Sequence, residues 1–339
     1  LGDFGMTPPV PVTFVPAPTP LEPLANLSNR LGVALWVKRD DLAGTTFGGN
    51  KARQLEFYLG AALARDCDTV LITGAVQSNF VRTAAALAAK IGLRTIVQLE
   101  QRVPGQDALY QSSGNVVLNG LLGAEVMYYP DGEDEAGADA ALRARADVER
   151  KKGHRPFVIP LALGNPPLGA LGYVKAAHEI LAQADDFDFV VVASGSGLTH
   201  AGLLAGLVQG GFAGRVIGSC VRRDAVHQRR RIRTVLDDLA PLMGGGTDVP
   251  TDAIEIWDGA LAPGYGQMGP LALDAMQMMA QTEGLILDPV YTAKVFAAIP
   301  ALVQSGRIPT CSKVLFVHTG GLASLFAYQT VLAEAVTRS

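Results

Sequence analysis

Apolar runs of strand length alternate along most of this chain with stretches of helical period, and each run gives way to a turn bearing glycine or serine. A parallel sheet with crossover helices leaves this rhythm in a sequence. A strand buried on both faces reads as a continuous apolar run, and returning to the same end of the sheet takes a helix's length of chain. One set comprises Thr69-Val70-Leu71-Ile72-Thr73, an alanine-rich helix through 84–89, Thr95-Ile96-Val97-Gln98-Leu99, Val126-Met127-Tyr128 and Phe157-Val158-Ile159-Pro160. A second comprises Phe189-Val190-Val191-Val192-Ala193, Val216-Ile217-Gly218-Ser219 and Val314-Leu315-Phe316-Val317-His318. Two α/β domains are expected. Within residues 31–41, Trp36-Val37-Lys38-Arg39-Asp40 reads as a further strand, a candidate to cross between the sets. At 339 residues and 49% hydrophobic, the chain is longer than one core usually supports and has the apolar material for two. Gly244-Gly245-Gly246 reads as a flexible surface loop.

Charge and cysteine usage exclude several classes. A formal net charge of −4 argues against a nucleic-acid partner, which needs a basic face. Arg222, Arg223, Arg229, Arg230, Arg231 and Arg233 crowd one segment. They read either as a solvated helix balanced by Asp224, Asp237 and Asp238 or as a local anion site. Cys67, Cys220 and Cys311 are odd in number and far apart. They fit free thiols in a reducing cytoplasm and neither a disulfide framework nor a metal site. Residues 1–20 lack the pattern of a secretory leader, and no apolar run approaches the ~18 residues of a membrane span. A soluble, cytoplasmic protein is expected.

Three motifs carry chemistry. Lys51 closes Gly48-Gly49-Asn50-Lys51 and opens a helix, where the macrodipole disfavours a cation and favours the neutral amine a nucleophile needs. Two glycines before it allow another group to approach the backbone closely. Next, Ala193-Ser194-Gly195-Ser196-Gly197-Leu198-Thr199-His200 follows an apolar strand and leads into an apolar helix. In such a turn unpaired N–H groups and the helix dipole converge on an anion. It matches neither the P-loop nor the dinucleotide fingerprint. A reactive lysine and a phosphate cradle on one chain suggest pyridoxal 5′-phosphate, an aldehyde that bears a phosphate. Third, Gln77-Ser78-Asn79 lies between a strand and a helix. Ser78 or Asn79 would cap that helix, and both offer groups for a substrate carboxylate or a cofactor oxygen.

These motifs, with Gly169-Ala170-Leu171-Gly172-Tyr173, Ala262-Pro263-Gly264-Tyr265-Gly266, Leu287-Asp288-Pro289-Val290-Tyr291-Thr292 and His318-Thr319-Gly320-Gly321, resemble the family of D-cysteine desulfhydrase and 1-aminocyclopropane-1-carboxylate (ACC) deaminase. The resemblance runs in order from about residue 18 to 328. It implies the fold type II architecture of pyridoxal-phosphate enzymes, similar to the tryptophan synthase β-subunit: two open, twisted parallel-sheet domains with the active site between them. The expected bounds are 45–160 for the smaller domain, and 1–44 with 161–339 for the larger, cofactor-binding one. A homodimer acting on a small amino acid is implied.

Residue by residue, the resemblance makes Lys51 the Schiff-base lysine and gives the cofactor phosphate to Gly195, Ser196, Gly197, Leu198 and Thr199. It gives the ring hydroxyl to Asn79, and the substrate to Gln77, Ser78, Asn79, Tyr265 and Tyr291. Lys51, Ser78, Tyr265 and Tyr291 are the expected catalytic residues. Thr292 stands where the deaminases resemble one another in having a glutamate on the ring nitrogen, and Thr319 where they have leucine. A hydroxyl holds the ring proton less well and makes the ring a weaker electron sink, which favours expulsion of sulfur from Cβ over opening of a cyclopropane. The desulfhydrase branch, with its L-cysteate sulfo-lyase relatives, is therefore the nearer resemblance. An ACC deaminase and a silent amino-acid-binding module are the alternatives. Phe80 departs from the branch, where the pattern has histidine, and Leu198 replaces a glycine, which is tolerable if its φ is negative.

Overall fold

Ten strands make two sheets in the computed structural model, which describes residues 8–245 and 248–337. The strands are β1 (Leu21–Pro23), β2 (Ala34–Lys38), β3 (Thr69–Ala75), β4 (Arg94–Glu100), β5 (Glu125–Tyr129), β6 (Pro156–Ile159), β7 (Phe189–Ser194), β8 (Arg215–Cys220), β9 (Glu255–Trp257) and β10 (Lys313–Val317). One sheet runs β5-β4-β3-β6 and is parallel throughout. The other runs β1-β2-β10-β7-β8-β9, parallel except for the β1–β2 pair. Every run read as a strand becomes one. The 31–41 segment differs from expectation: its strand is β2 alone, paired inside the six-stranded sheet, and Asp40–Leu42 turns away as a short 3₁₀ helix. Gly246 of the expected glycine loop and residues 1–7 of the N-terminal stretch lie outside the described residues.

The continuous apolar runs are explained by burial on both faces. In β3, Val70 and Ile72 join the large core while Leu71 packs on the opposite face with Ile96, Leu142 and Ala146. In β7, Val190 and Val192 join that same large core, whereas Phe189 and Val191 face a second one. The large core is therefore shared by both sheets, and helices Lys51–Leu63, Leu168–Gln183 and Leu198–Gln209 fill it.

The Lys51–Leu63 helix is held by a buried ion network. Arg53 donates to Asp40 Oδ1 and Oδ2 (2.9 and 3.0 Å) and to Glu179 Oε1 and Oε2 (both 2.8 Å). The Tyr173 hydroxyl donates to Asp40 (2.6 Å), and Lys38 reaches Glu179 (2.5 Å). Opposite charges lie on both sides of Arg53, and for that reason a guanidinium can be buried here. A Cβ on Gly172 would come within 2.1 Å of Arg53 O, so the two helices meet backbone to backbone.

Candidate active site

A cleft opens at the carboxyl ends of β3, β7 and β10, the end at which parallel sheets offer their loops to ligands. Three turns meet there: residues 74–80 after β3, 195–199 after β7, and Thr319-Gly320 after β10, with Lys51 between them.

Lys51 is the first residue of its helix. Burial pushes its amine down to about 8, because removal from water penalises the charged form. Its Nζ lies 3.4 Å from Gln54 Oε1 and 5.3 Å from the centre of the Phe80 ring, which covers one side of it. The glycines before it do admit a close approach, but by this chain's own backbone. A Cβ on Gly48 would fall 1.7 Å from Asp41 O, and one on Gly49 3.1 Å from Thr319 O. The Asn50 N–H then donates to Thr319 O (3.1 Å), which ties the lysine turn to the segment after β10.

The 195–199 turn is built to present N–H groups. The carbonyl of Gly195 accepts from Gln228 and Arg223 (3.1 and 3.3 Å) and that of Ser196 from Arg231 (2.7 Å). In a trans peptide the next N–H points opposite to the carbonyl, so those of Ser196 and Gly197 point away from these partners. Gly197 has φ 101°, a left-handed conformation suited to glycine, and it caps the Leu198–Gln209 helix, whose first-turn N–H groups lack intrahelical partners. Leu198 is not among the residues of positive φ, and its side chain packs toward Gly169. Its backbone therefore serves as a glycine's would. The Thr199 hydroxyl accepts from Asn50 Nδ2 and Gln54 Nε2, both at 2.8 Å, which leaves its own proton to donate.

Ser78 caps helix Asn79–Lys90, accepting from Val81 N (3.3 Å), and also lines the cleft. Asn79 Oδ1 accepts from Asn115 and Arg82 (3.1 and 3.3 Å), so the amide nitrogen is the end left for a ligand. Tyr265 and Tyr291 line the cleft with their hydroxyls 2.5 Å apart. Burial and the Tyr265 hydroxyl push Tyr291 well above its ordinary value, so it stays protonated. Lys294 fixes the Tyr265 loop by donating to the carbonyls of Leu261 and Gly264 (2.9 and 2.6 Å).

Two expected ligands stand elsewhere. Gln77 does not line the cleft: its amide donates to Tyr110 O and Ser113 O (2.6 and 2.9 Å) and accepts from Asn115 N (2.9 Å), bracing the neighbouring segment. Thr292 is buried outside the cleft. Its hydroxyl accepts from Asp288 N and donates to Asp288 Oδ1, each at 2.8 Å. Of the two threonines expected at the ring, Thr319 is the one that lines the cleft. The cleft is also lined by Asn50 and Gln54, the near neighbours of Lys51 in sequence, and by Arg102 and Glu135, which carry no local motif. The arginine segment divides. Arg229 and Arg230 are exposed and Arg233 pairs with Asp237, whereas Arg222, Arg223 and Arg231 converge on Glu135.

These donors fit pyridoxal phosphate: a lysine held toward its neutral form, an anion turn that ends in a free hydroxyl proton, and an amide nitrogen facing the same space. The comparisons agree. The model of the pyridoxal-phosphate dependent enzyme family matches residues 12–320. A D-cysteine desulfhydrase of Yersinia pestis (strain Pestoides F) is 41% identical over 313 residues, covering 91% of this chain and 93% of that one. The crystal structure of an ACC deaminase homologue superposes with a TM-score of 0.85 at 34% identity, covering 96% of both chains. Threonine deaminase isoform 2 from Solanum lycopersicum, 17% identical, shares the fold with a TM-score of 0.65 over 96% of this chain and 85% of its own. The anion turn and the buried lysine thus meet in one cleft of a fold type II architecture, and this chain belongs to the pyridoxal-phosphate dependent enzymes.

Proposed function

We propose that this enzyme is a carbon–sulfur lyase that carries out α,β-elimination on an alanine bearing sulfur at Cβ. The substrate is D-cysteine, giving pyruvate, sulfide and ammonium, or L-cysteate, giving pyruvate, sulfite and ammonium. The observation that carries the reading is the convergence, in one cleft, of Lys51 and the 195–199 turn, which are more than a hundred residues apart in sequence. When bound, pyridoxal phosphate supplies an aldehyde for an amine and a ring that takes up electron density from Cα. The protein supplies the rest. Ser196 and Gly197 N–H groups and the Thr199 hydroxyl would hold the phosphate, and Asn79 Nδ2 would donate to the ring hydroxyl. Ser78 and the start of its helix take the substrate carboxylate. Lys51, with its amine near 8, removes the Cα proton at neutral pH. The Tyr265 and Tyr291 hydroxyls, hydrogen-bonded to each other, would stand beside the leaving group. Thr319, which lines the cleft, would meet the ring nitrogen in place of a carboxylate, which favours sulfur expulsion over ring opening.

The same reading divides the chain into 45–160 and 1–44 with 161–339. It is supported by each sheet drawing all its strands from one of those parts. It includes a cytoplasmic homodimer, which light scattering tests. Among the described residues no helix is long and apolar enough to cross a membrane. Protein purified with the cofactor should carry an absorbance band near the visible edge that Lys51→Ala abolishes. Absence of a band would sink the proposal. The likeness to an ACC deaminase homologue favours a second reading, distinguished by 2-oxobutanoate appearing from the cyclopropane substrate at a rate comparable to pyruvate from cysteine or cysteate.

A further inference from the structure

Four guanidinium groups gather along one wall of the cleft. Arg102 follows β4; Arg222 and Arg223 follow β8, and Arg231 comes from helix Ala225–Leu239. Two of them hold the anion turn: Arg223 donates to Gly195 O and Arg231 to Ser196 O, and both pair with Glu135. Arg102 and Arg222 line the cleft itself, with side chains only 6% exposed. Arg102 donates through Nε and Nη2 to Glu100 Oε2 (2.8 and 2.5 Å), and its Nη1 has no partner among the described residues. Arg222 donates to Glu135 Oε1, Gly132 O and Glu133 Oε2 (2.6, 2.9 and 3.1 Å), while its Nε is buried without a partner.

The charge balance is uneven. The buried Glu100 and the half-buried Glu135 stand against four guanidinium groups, and Glu133, which also pairs with Arg222, is 75% exposed. At least one cation in excess, largely out of water, favours an anion. The cofactor phosphate is served by the turn that Arg223 and Arg231 brace from behind, and the substrate α-carboxylate by the start of the Asn79–Lys90 helix. Neither accounts for Arg102 and Arg222. Arg102 and Arg222 line the same cleft as Tyr265 and Tyr291, the pair assigned above to the leaving group.

We propose that Arg102 and Arg222 form an anion subsite that reads a second negative group on the substrate, carried on Cβ. This rests on the elimination reading above and deepens it: the preferred substrate class is 2-aminopropanoates whose leaving group is an oxyanion of sulfur, a sulfonate ahead of a neutral thiol. The reaction balances without oxidant or reductant. Cysteate and water give pyruvate, ammonium and hydrogen sulfite. The Cβ–S bond breaks with its electron pair leaving on sulfur, Lys51 takes the Cα proton, and the oxygen of water becomes the keto oxygen. The departing group gains negative charge as the bond stretches, so fixed guanidinium groups bind it more tightly in the transition state than in the ground state.

The test uses the holoenzyme with both enantiomers of cysteate and cysteine, with β-chloroalanine, whose Cβ substituent carries no charge in the ground state, as the reference. Wild type should favour cysteate. Arg102→Gln and Arg222→Gln should each lower the ratio of kcat/KM for cysteate to that for β-chloroalanine by about 100-fold, the scale of losing a buried charge-assisted partner. An equal loss on both substrates would overturn the proposal, because the arginines would then serve the α-carboxylate or the fold. Should a variant lose its cofactor band, the wild type still decides. 3-Sulfopropanoate, which has no amine to react, should compete at least about tenfold more tightly than propanoate, and equal inhibition overturns the subsite. If no substrate yields pyruvate, the elimination reading fails by itself, and calorimetric binding of 3-sulfopropanoate over propanoate still decides the subsite.

Discussion

Replacing Thr199 by valine keeps the shape of the side chain and removes one oxygen on which two parts of the chain depend. Asn50 and Gln54, flanking Lys51, both donate to that oxygen at 2.8 Å, and Thr199 is only 5% exposed. Without it two buried amide donors lose their partner. Each orphaned donor costs about 1–3 kcal/mol, and water entering the adjacent cleft recovers part of this, so a net loss of about 2–4 kcal/mol is expected in the cofactor-free protein. Unfolding entropy scales with length and amounts to about 0.7 kcal/mol per kelvin for a chain of this size. The melting temperature should therefore fall by about 3–6 °C. Cofactor affinity should fall as well, because the hydroxyl proton no longer reaches the phosphate. Thr199→Ser, which keeps the hydroxyl, should recover most of both losses. The measurements are thermal unfolding of cofactor-free protein and titration of the visible band with cofactor. If Thr199→Val melts with the wild type while only the affinity drops, the hydroxyl does not couple the anion turn to the lysine helix, and the reasoning fails.

The amine of Lys51 sets a pH expectation of definite sign. Burial disfavours its charged form, so the neutral fraction grows with pH and reaches half near 8, where an ordinary lysine would need about 10.4. Capture of the cofactor aldehyde by cofactor-free enzyme should quicken about tenfold from pH 6 to 7 and level off above about 9. Stopped-flow absorbance reads this, and a rate still climbing tenfold per unit at pH 10 contradicts it. Thr292→Val tests the placement of the second threonine. Its hydroxyl is engaged by Asp288, so the variant should lose about 1–3 kcal/mol of stability yet keep the wavelength of the bound-cofactor band. A shifted band with unchanged stability would return Thr292 to the ring.

The sequence alone determined the classes of element and of chemistry. Strands buried on both faces need unbroken apolar runs, so β3, β4, β7, β8 and β10 were all legible. An anion turn needs glycine where φ is positive, so Gly197 marked itself. Lys51 was legible because its glycines and its helix start are local features. Function that depends on where a side chain finds its partner was not. Gln77 and Thr292 sit inside matched motifs, but their hydrogen-bonding groups are taken by residues 110–115 and by Asp288, and no spacing reveals an acceptor already filled. Arg102 carries no motif, and the arginine segment read more readily as a solvated helix than as an anion site. Only tertiary packing brings Glu135 against Arg222, Arg223 and Arg231, and sets Arg102 and Arg222 at the cleft. Local backbone rules act over a few residues and can be read along a chain, whereas charge balance in a buried site is a sum over groups that only the fold makes neighbours.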